Sequence, residues 1–236
     1  MTWEDEAVNW INWARTPGHD VFPLYAPSFF DKIVSPPQGL TLEIGCGEGR
    51  VARELASRGH NVVAVDASST LVRSARDADA RSRYLLADAT ALPFADAMFR
   101  TVVAYNSLQT MAELSDMADA VREAGRVLRP SGRFCVCIAH PMTDLDHIKA
   151  AAAGGDATGS YFEPLRVNQT VARNGLQMTF HGWTYTLQDY ARAFEDAGFL
   201  IERLREPVPI ADQATQRGDP EGSPLFLFIR AVRSAR

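Results

Sequence analysis

The chain has 236 residues, of which 46% are hydrophobic and 22% charged, with a net charge of −5. This supplies a sizeable core for one large α/β domain or two small ones and excludes a disordered chain. An acidic balance without any run of Lys and Arg argues against nucleic acid or an anionic membrane as partner, and no apolar run reaches the roughly 20 residues of a membrane span.

The N-terminal MTWEDEAVNW is acidic and lacks the apolar segment of a signal peptide. The three cysteines, Cys46, Cys135 and Cys137, form no disulfide framework and are expected to be reduced, in a cytoplasmic protein. Residues 4–15 place Ala7, Trp10, Ile11 and Ala14 at helical spacing. A proline-broken stretch follows, with a short helix expected around Ser28–Val34. From there the rhythm alternates. LTLEIGC reads as a buried strand and GRVARELASRG as a helix stopped by Gly59. NVVAVDAS is a second strand and SSTLVRSARDA a helix with Ser68 or Ser69 as N-cap. SRYLLADA and TVVAYNS are further strands. LSDMADAVREAGRVLRP is a helix stopped at Pro130, and GRFCVCIA is a fifth strand. Residues 141–183 read as an insertion. TLQDYARAFEDAG is a helix, FLIERLREP and PLFLFIRAV are late strands, and the polar loop 208–223 between them is expected to be mobile. Strands alternating with helices imply right-handed crossovers and a doubly wound, mostly parallel sheet.

The stretch TLEIGCGEGR carries glycines at 45, 47 and 49, between a strand and a helix. Such a turn lies at the carboxyl edge of the sheet, where doubly wound folds bind ligands. A dinucleotide fingerprint begun at Gly45 would put Arg50 where the third small residue belongs, and no triphosphate loop is present. Glu43 beside the turn would repel a pyrophosphate and attract a cation. Asp66 ends the next strand, where a carboxylate can accept from both ribose hydroxyls. Asp88 ends the third strand, suited to an exocyclic adenine amine, with the Ala89 amide available to a ring nitrogen. Three strand ends thus offer carboxylates and open backbone to a positively charged adenosine.

On LEIGCGEGR, VVAVDAS, LLADATALPF, VVAYNSL and EAGRVLRPSGRF, the chain resembles the class I S-adenosylmethionine-dependent methyltransferases, in particular the UbiE/BioC-like type 11 small-molecule group. The resemblance spans about residues 40–140. It implies a seven-stranded Rossmann-like sheet of order 3-2-1-4-5-7-6 with its last strand antiparallel, and S-adenosyl-L-methionine as cofactor. By it, Gly45, Cys46 and Gly47 line the methionyl part, Asp66 with Ala67 beside it holds the ribose, Asp88 and Ala89 hold the adenine, and the Asn106 carbonyl approaches the methionyl amine. Phe99-Arg100 stands where the family commonly has Phe-Asp, at the far end of the strand from the ligand.

Residues 1–38 are expected to form a helical lid or cap on a methyltransferase domain spanning 39–236. Trp10 and Trp13 either pack on the domain or belong to that lid; as a lid, the segment turns Arg15 and His19 inward, Arg15 toward the methionyl carboxylate. His140 is either a packed histidine or a general base that assists the acceptor. His181, Tyr105 and Tyr185 are substrate-side alternatives. The run HPMTDLDH (His140, Asp144, Asp146, His147) matches no recognised ligand pattern, and no metal is expected. The leading expectation is methyl transfer by in-line displacement to a small-molecule or natural-product acceptor, by a monomer or homodimer. The alternatives are a different reaction with the cofactor bound, such as a cyclisation, and a non-catalytic cofactor- or partner-binding protein.

Overall fold

Apolar runs separated by amphipathic helices are most stable as a parallel sheet covered on both faces, and the computed structural model of the chain has this architecture. It describes residues 2–143, 160–210 and 224–234. Most of the 208–223 loop, and Asp144, Asp146 and His147, lie outside the described residues. In chain order the elements are α1 (Trp3–Arg15), α2 (Phe22–Lys32), β1 (Leu40–Ile44), α3 (Arg50–Ser57), β2 (Asn61–Asp66), α4 (Ser69–Ala78), β3 (Arg83–Leu86) and β4 (Phe99–Tyr105). A 3-10 turn at Leu108–Thr110 leads to α5 (Asp116–Val127) and β5 (Leu128–Ala139). Then come β6 (Arg166–Arg173), β7 (Leu176–Trp183), α6 (Leu187–Asp196), β8 (Phe199–Arg205) and β9 (Phe226–Arg233).

The main sheet has seven strands in the order β3-β2-β1-β4-β5-β9-β8. β1 through β5 pair in parallel, whereas β9 runs antiparallel to both β5 and β8. With the separate β6–β7 pair set aside, this is the 3-2-1-4-5-7-6 order expected. One face packs Leu42, Ile44, Val102, Phe134 and Ile138 against α5 and α6. The other packs Val62, Ala64, Val103, Cys135 and Cys137 against α2, α3 and α4. Strand alternation therefore does send both thiols of the C-x-C to one face. All three cysteines are free and buried. Among the described residues no helix is long and apolar enough to cross a membrane, and none hold three metal-ligating side chains together.

Three local expectations need correction. α2 starts at Phe22 rather than near Ser28 and continues through Pro27. Pro23 stands at its entrance, where an N–H is not needed, and Pro27 forfeits only the bond to the Pro23 carbonyl. Burial of Leu24, Tyr25, Phe29 and Phe30 outweighs that loss. α5 ends at Val127, not at Pro130, because Pro130 forces the residue before it toward extended backbone. The insertion contains a regular hairpin: β6 and β7 pair from Arg166↔Trp183 to Arg173↔Leu176. Its turn is Asn174-Gly175, with φ of 48° and 81°, the backbone that a two-residue hairpin demands and that Asn-Gly supplies cheaply.

Candidate functional site

The sheet's carboxyl edge is built around the turn between β1 and α3. Gly45, Gly47 and Gly49 have φ of 68°, 55° and 86°, left-handed conformations that cost a residue with a Cβ about 1 kcal/mol or more. Close approach is a second reason for glycine. A Cβ on Gly45 would lie 2.4 Å from Ser107 Cβ, and one on Gly49 would lie 2.9 Å from the Tyr84 hydroxyl. At Gly47 it would meet the indole nitrogen of Trp10 at 3.0 Å. The turn is therefore pressed between the end of β4, the β3–α4 layer and α1.

Carboxyl groups surround it. Asp66, at the end of β2, accepts from the Gly47 amide at 2.8 Å and the Ser68 amide at 2.9 Å. Each of its oxygens keeps a further lone pair, and burial pushes its pKa up. Glu48 accepts from Arg15 at 2.9 Å and from Arg53 at 2.8 Å. Glu43 is 1% exposed and its Oε2 has no hydrogen-bond partner among the described residues. Burial first, then the charges of Asp66 and Glu48, drive its pKa well up. Cys46 is buried within the turn, and Ala67 is exposed just beyond Asp66.

Asp88 is exposed and turns one oxygen to the Thr90 amide and hydroxyl, both at 2.8 Å, leaving the other oxygen free of those bonds. Ala89 beside it is buried. Asn106 takes a left-handed φ of 55° directly after β4, while its N–H donates to the Cys137 carbonyl. Strained backbone at a strand end is a mark of ligand sites. Glu43, the glycine turn, Asp66, Asp88 and Asn106 thus share one edge.

Other candidates are placed differently. Arg15 is committed to Glu48 and the Ser74 carbonyl. His19 stacks edge-on against Trp13 at 5.2 Å, and its Nε2 meets the Arg173 carbonyl at 3.1 Å. Tyr105 lies among Phe22, Phe29 and Phe226, where burial raises its phenol pKa. Tyr185 sits on the opposite sheet face, its hydroxyl donating to the Leu114 carbonyl. His140 is 2% exposed. Its Nδ1 accepts from the Met142 amide at 3.1 Å, so the neutral ring carries its proton on Nε2, 3.0 Å from Glu206. Both ring nitrogens are engaged.

His181, on β7, has the opposite character. Its Nδ1 meets Asn168 Oδ1 at 3.0 Å, and its buried Nε2 has no partner among the described residues. Burial pushes its pKa below the ordinary 6.5, so the ring is neutral with a bare Nε2. It contributes to a polar cleft of about 370 Å³ with Arg166, Asn168, Thr170 and Thr179. On the other face of β7, a short run of contacts leads from the hairpin to the glycine turn. Gly182 packs on the Gln109 carbonyl, where a Cβ would come within 2.4 Å. Gln109 follows Ser107, and Ser107 touches Gly45.

α1 closes the edge. Glu4 accepts from Ser68, Ser69 and Thr70 at the start of α4, while Glu6 accepts from the Thr179 amide on the outer edge of β7. Trp3 lies 6.1 Å from both Trp10 and His181. In sequence, Arg50 is legible only as an obstacle to a dinucleotide fingerprint. In the fold its guanidinium stacks 4.8 Å from Trp10 and 4.3 Å from Phe22 and pairs with Asp20 at 2.8 Å, binding the N-terminal segment to α3. The pairings of Arg50 with Asp20 and of Glu48 with Arg15 carry no sequence signal, because those partners are remote in the chain.

A cationic adenosine fits this edge on two counts: a buried carboxyl, Glu43, whose Oε2 has no partner among the described residues, and spare acceptor capacity on Asp66. Comparison with known proteins agrees. A family model described as "Methyltransferase domain" matches residues 42–136. Malonyl-(acyl-carrier protein) O-methyltransferase of Enterobacter lignolyticus is 37% identical over 168 residues, covering 70% of this chain and 62% of the relative. The Salmonella typhimurium protein of the same name is 40% identical over 91 residues, 39% of this chain and 35% of that one. The chain thus spans less than two thirds of the length of these curated relatives. A crystal structure described as a putative S-adenosylmethionine-dependent methyltransferase from Listeria monocytogenes superimposes with a TM-score of 0.64 at 21% identity, covering 89% of this chain and 99% of that one.

Proposed function

Because this chain belongs to the class I S-adenosylmethionine-dependent methyltransferases, we propose that it catalyses methyl transfer from S-adenosyl-L-methionine to a small acceptor, free or carrier-bound. The observation that carries the proposal is the left-handed glycine turn with buried Glu43 and Asp66 on either side of it. When bound, the cofactor supplies a methyl group on a sulfonium whose leaving group is neutral. The protein's work is then alignment and exclusion of water.

Asp66 takes the ribose hydroxyls on its spare lone pairs, and the free oxygen of Asp88 with the Ala89 amide takes the adenine. Gly45 to Gly47 and the left-handed Asn106 line the amino-acid part. Residues 1–38 act as a lid, with α1 and Trp10 keeping water from the edge. On the acceptor side, His181 is the imidazole equipped to take a proton, since Asn168 fixes its tautomer and leaves Nε2 bare. The names of the relatives make an oxygen the first acceptor atom to try.

The deciding measurement is calorimetry with S-adenosylhomocysteine. Micromolar binding is expected, with no binding of NAD(H). Asp66→Ala should weaken it by about 1.5–3 kcal/mol, the range for hydrogen bonds to a charged group, or roughly 10- to 150-fold. Absence of binding, or wild-type affinity in a folded Asp66→Ala protein, overturns the assignment of the site.

A further inference from the structure

Three carboxyl groups are buried around the glycine turn, Glu43, Glu48 and Asp66, and two of them are satisfied. Glu48 is clamped by Arg15 and Arg53, and Asp66 by two backbone amides. Glu43 Oε2 has no hydrogen-bond partner among the described residues. On its own strand's flanks stand only Ala64 and Val103. The charged groups that face it are Asp66 from β2, Glu48 from the turn, and Arg50 and Arg53 from α3. Both arginines are already paired, with Asp20 and Glu48. The Cys46 thiol and the Tyr84 phenol complete its titratable surroundings, and both are neutral at pH 7. An ionised carboxylate in this position would bear the full desolvation penalty beside two negative charges. A neutral acid would not.

We propose that Glu43 holds a proton in the cofactor-free protein and releases it when the cofactor binds, so that capture of the cation is coupled to release of one proton. This rests on the cofactor reading above. The proton passes from the Glu43 carboxyl to solvent, and the carboxylate left behind pairs with the ammonium of the ligand's amino-acid end. That ammonium is present in S-adenosylhomocysteine as well, which makes it a sufficient probe. Below the pKa of Glu43 in the free protein, affinity rises with pH, up to tenfold per unit; above it the dependence disappears. The site thus prefers a ligand that brings its own positive charge, because an uncharged analogue cannot displace the proton.

The test has two arms. In the free protein at pH 7, carbon NMR of glutamate labelled at the side-chain carboxyl should show one protonated acid that disappears in Glu43→Gln. Calorimetry with S-adenosylhomocysteine at pH 7, in phosphate and in imidazole buffer, should show enthalpies that differ by about one proton's worth of buffer ionisation. In Glu43→Gln that difference should vanish. The variant mimics the neutral acid and should melt close to wild type; failure to fold at pH 7 would mean that the carboxylate was ionised and paired, which overturns the proposal. So would a spectrum with every glutamate ionised, a buffer-independent enthalpy in the wild type, or equal proton release from the variant. If the ligand does not bind at all, the cofactor reading falls with the coupling, and the spectrum still reports the protonation of Glu43.

Discussion

A methyl group added at Gly45 would arrive 2.4 Å from Ser107 Cβ, on a backbone held at φ 68°. At Gly175 the φ is 81°, but nothing lies within 4 Å. The pair separates two costs that a glycine can hide. Gly175→Ala should lose about 1 kcal/mol, the strain of a left-handed residue alone. Gly45→Ala should lose about 2–4 kcal/mol, since overpacking of ~1–3 kcal/mol is added. Urea unfolding of both variants measures this, and equal losses would show that the approach of Ser107 relaxes freely. At this scale the sequence is informative wherever one residue type has one physical use. The alternate glycines and the strand-end Asp66 could be picked out as candidates for a ligand edge, and the fold brings them together at one end of the sheet. The commitments of Arg15 to Glu48 and of His140 to Glu206 do not show. A salt bridge or hydrogen bond between residues 33 or 66 positions apart leaves no periodic trace.

Elements carry the next layer of specification. α1 opens with a reciprocal cap between Thr2 and Asp5 and then turns its acidic first turn to other elements. Glu4 completes the N-terminus of α4, where hydrogen bonds from Ser68 and Thr70 hold its carboxyl at about 2. Its charge therefore persists across the whole neutral and mildly acidic range. Glu4→Ala should raise deuterium uptake in α1 and the first turn of α4 and leave β1 and β2 protected. Uniform uptake across the domain would instead assign Glu4 to global stability. The hairpin shows how an element can carry a clear turn and faint strands. Asn174-Gly175 is a strong two-residue turn signal, but the flanking strands are mostly polar on one face, so the alternation of apolar residues is weak. Tertiary contact, not propensity, fixes them: β7 lies between α1 and the turn after β4.

For the molecule as a whole, the sheet is readable because a doubly wound topology leaves few choices once the strands and crossovers are known. The meeting of α1 with the β6–β7 hairpin is not, since it joins segments far apart in the chain. Global stability also carries a pH signature. His60 is buried, with Nδ1 2.9 Å from the Thr41 hydroxyl, and burial, then the Arg58 charge, lower its pKa below the ordinary 6.5. The unfolded chain therefore binds the proton more readily than the folded one. The stability is complete above about pH 6.5 and declines as pH falls from there toward the folded pKa, with a slope of at most about 1.4 kcal/mol per unit for this group. His60→Gln should flatten the fall in unfolding free energy between pH 7 and 5. An unchanged slope would assign the acid sensitivity to other groups.

The seating of β9 between β5 and β8 matters most while the chain is being made. β5 ends at Ala139 and β9 begins at Phe226. A ribosome adding about 5–20 residues per second needs on the order of ten seconds to span that interval. β8 emerges before β9 and has no seat until β9 arrives, because β8 reaches the sheet only through β9, which pairs directly with β5. During those seconds the edge of β5, with its run Phe134 to Ile138, stands unpaired beside a nearly finished sheet, and an exposed apolar edge is a template for pairing with other chains. The nascent protein is thus most exposed to mispairing after five strands have formed and before β9 covers the β5 edge.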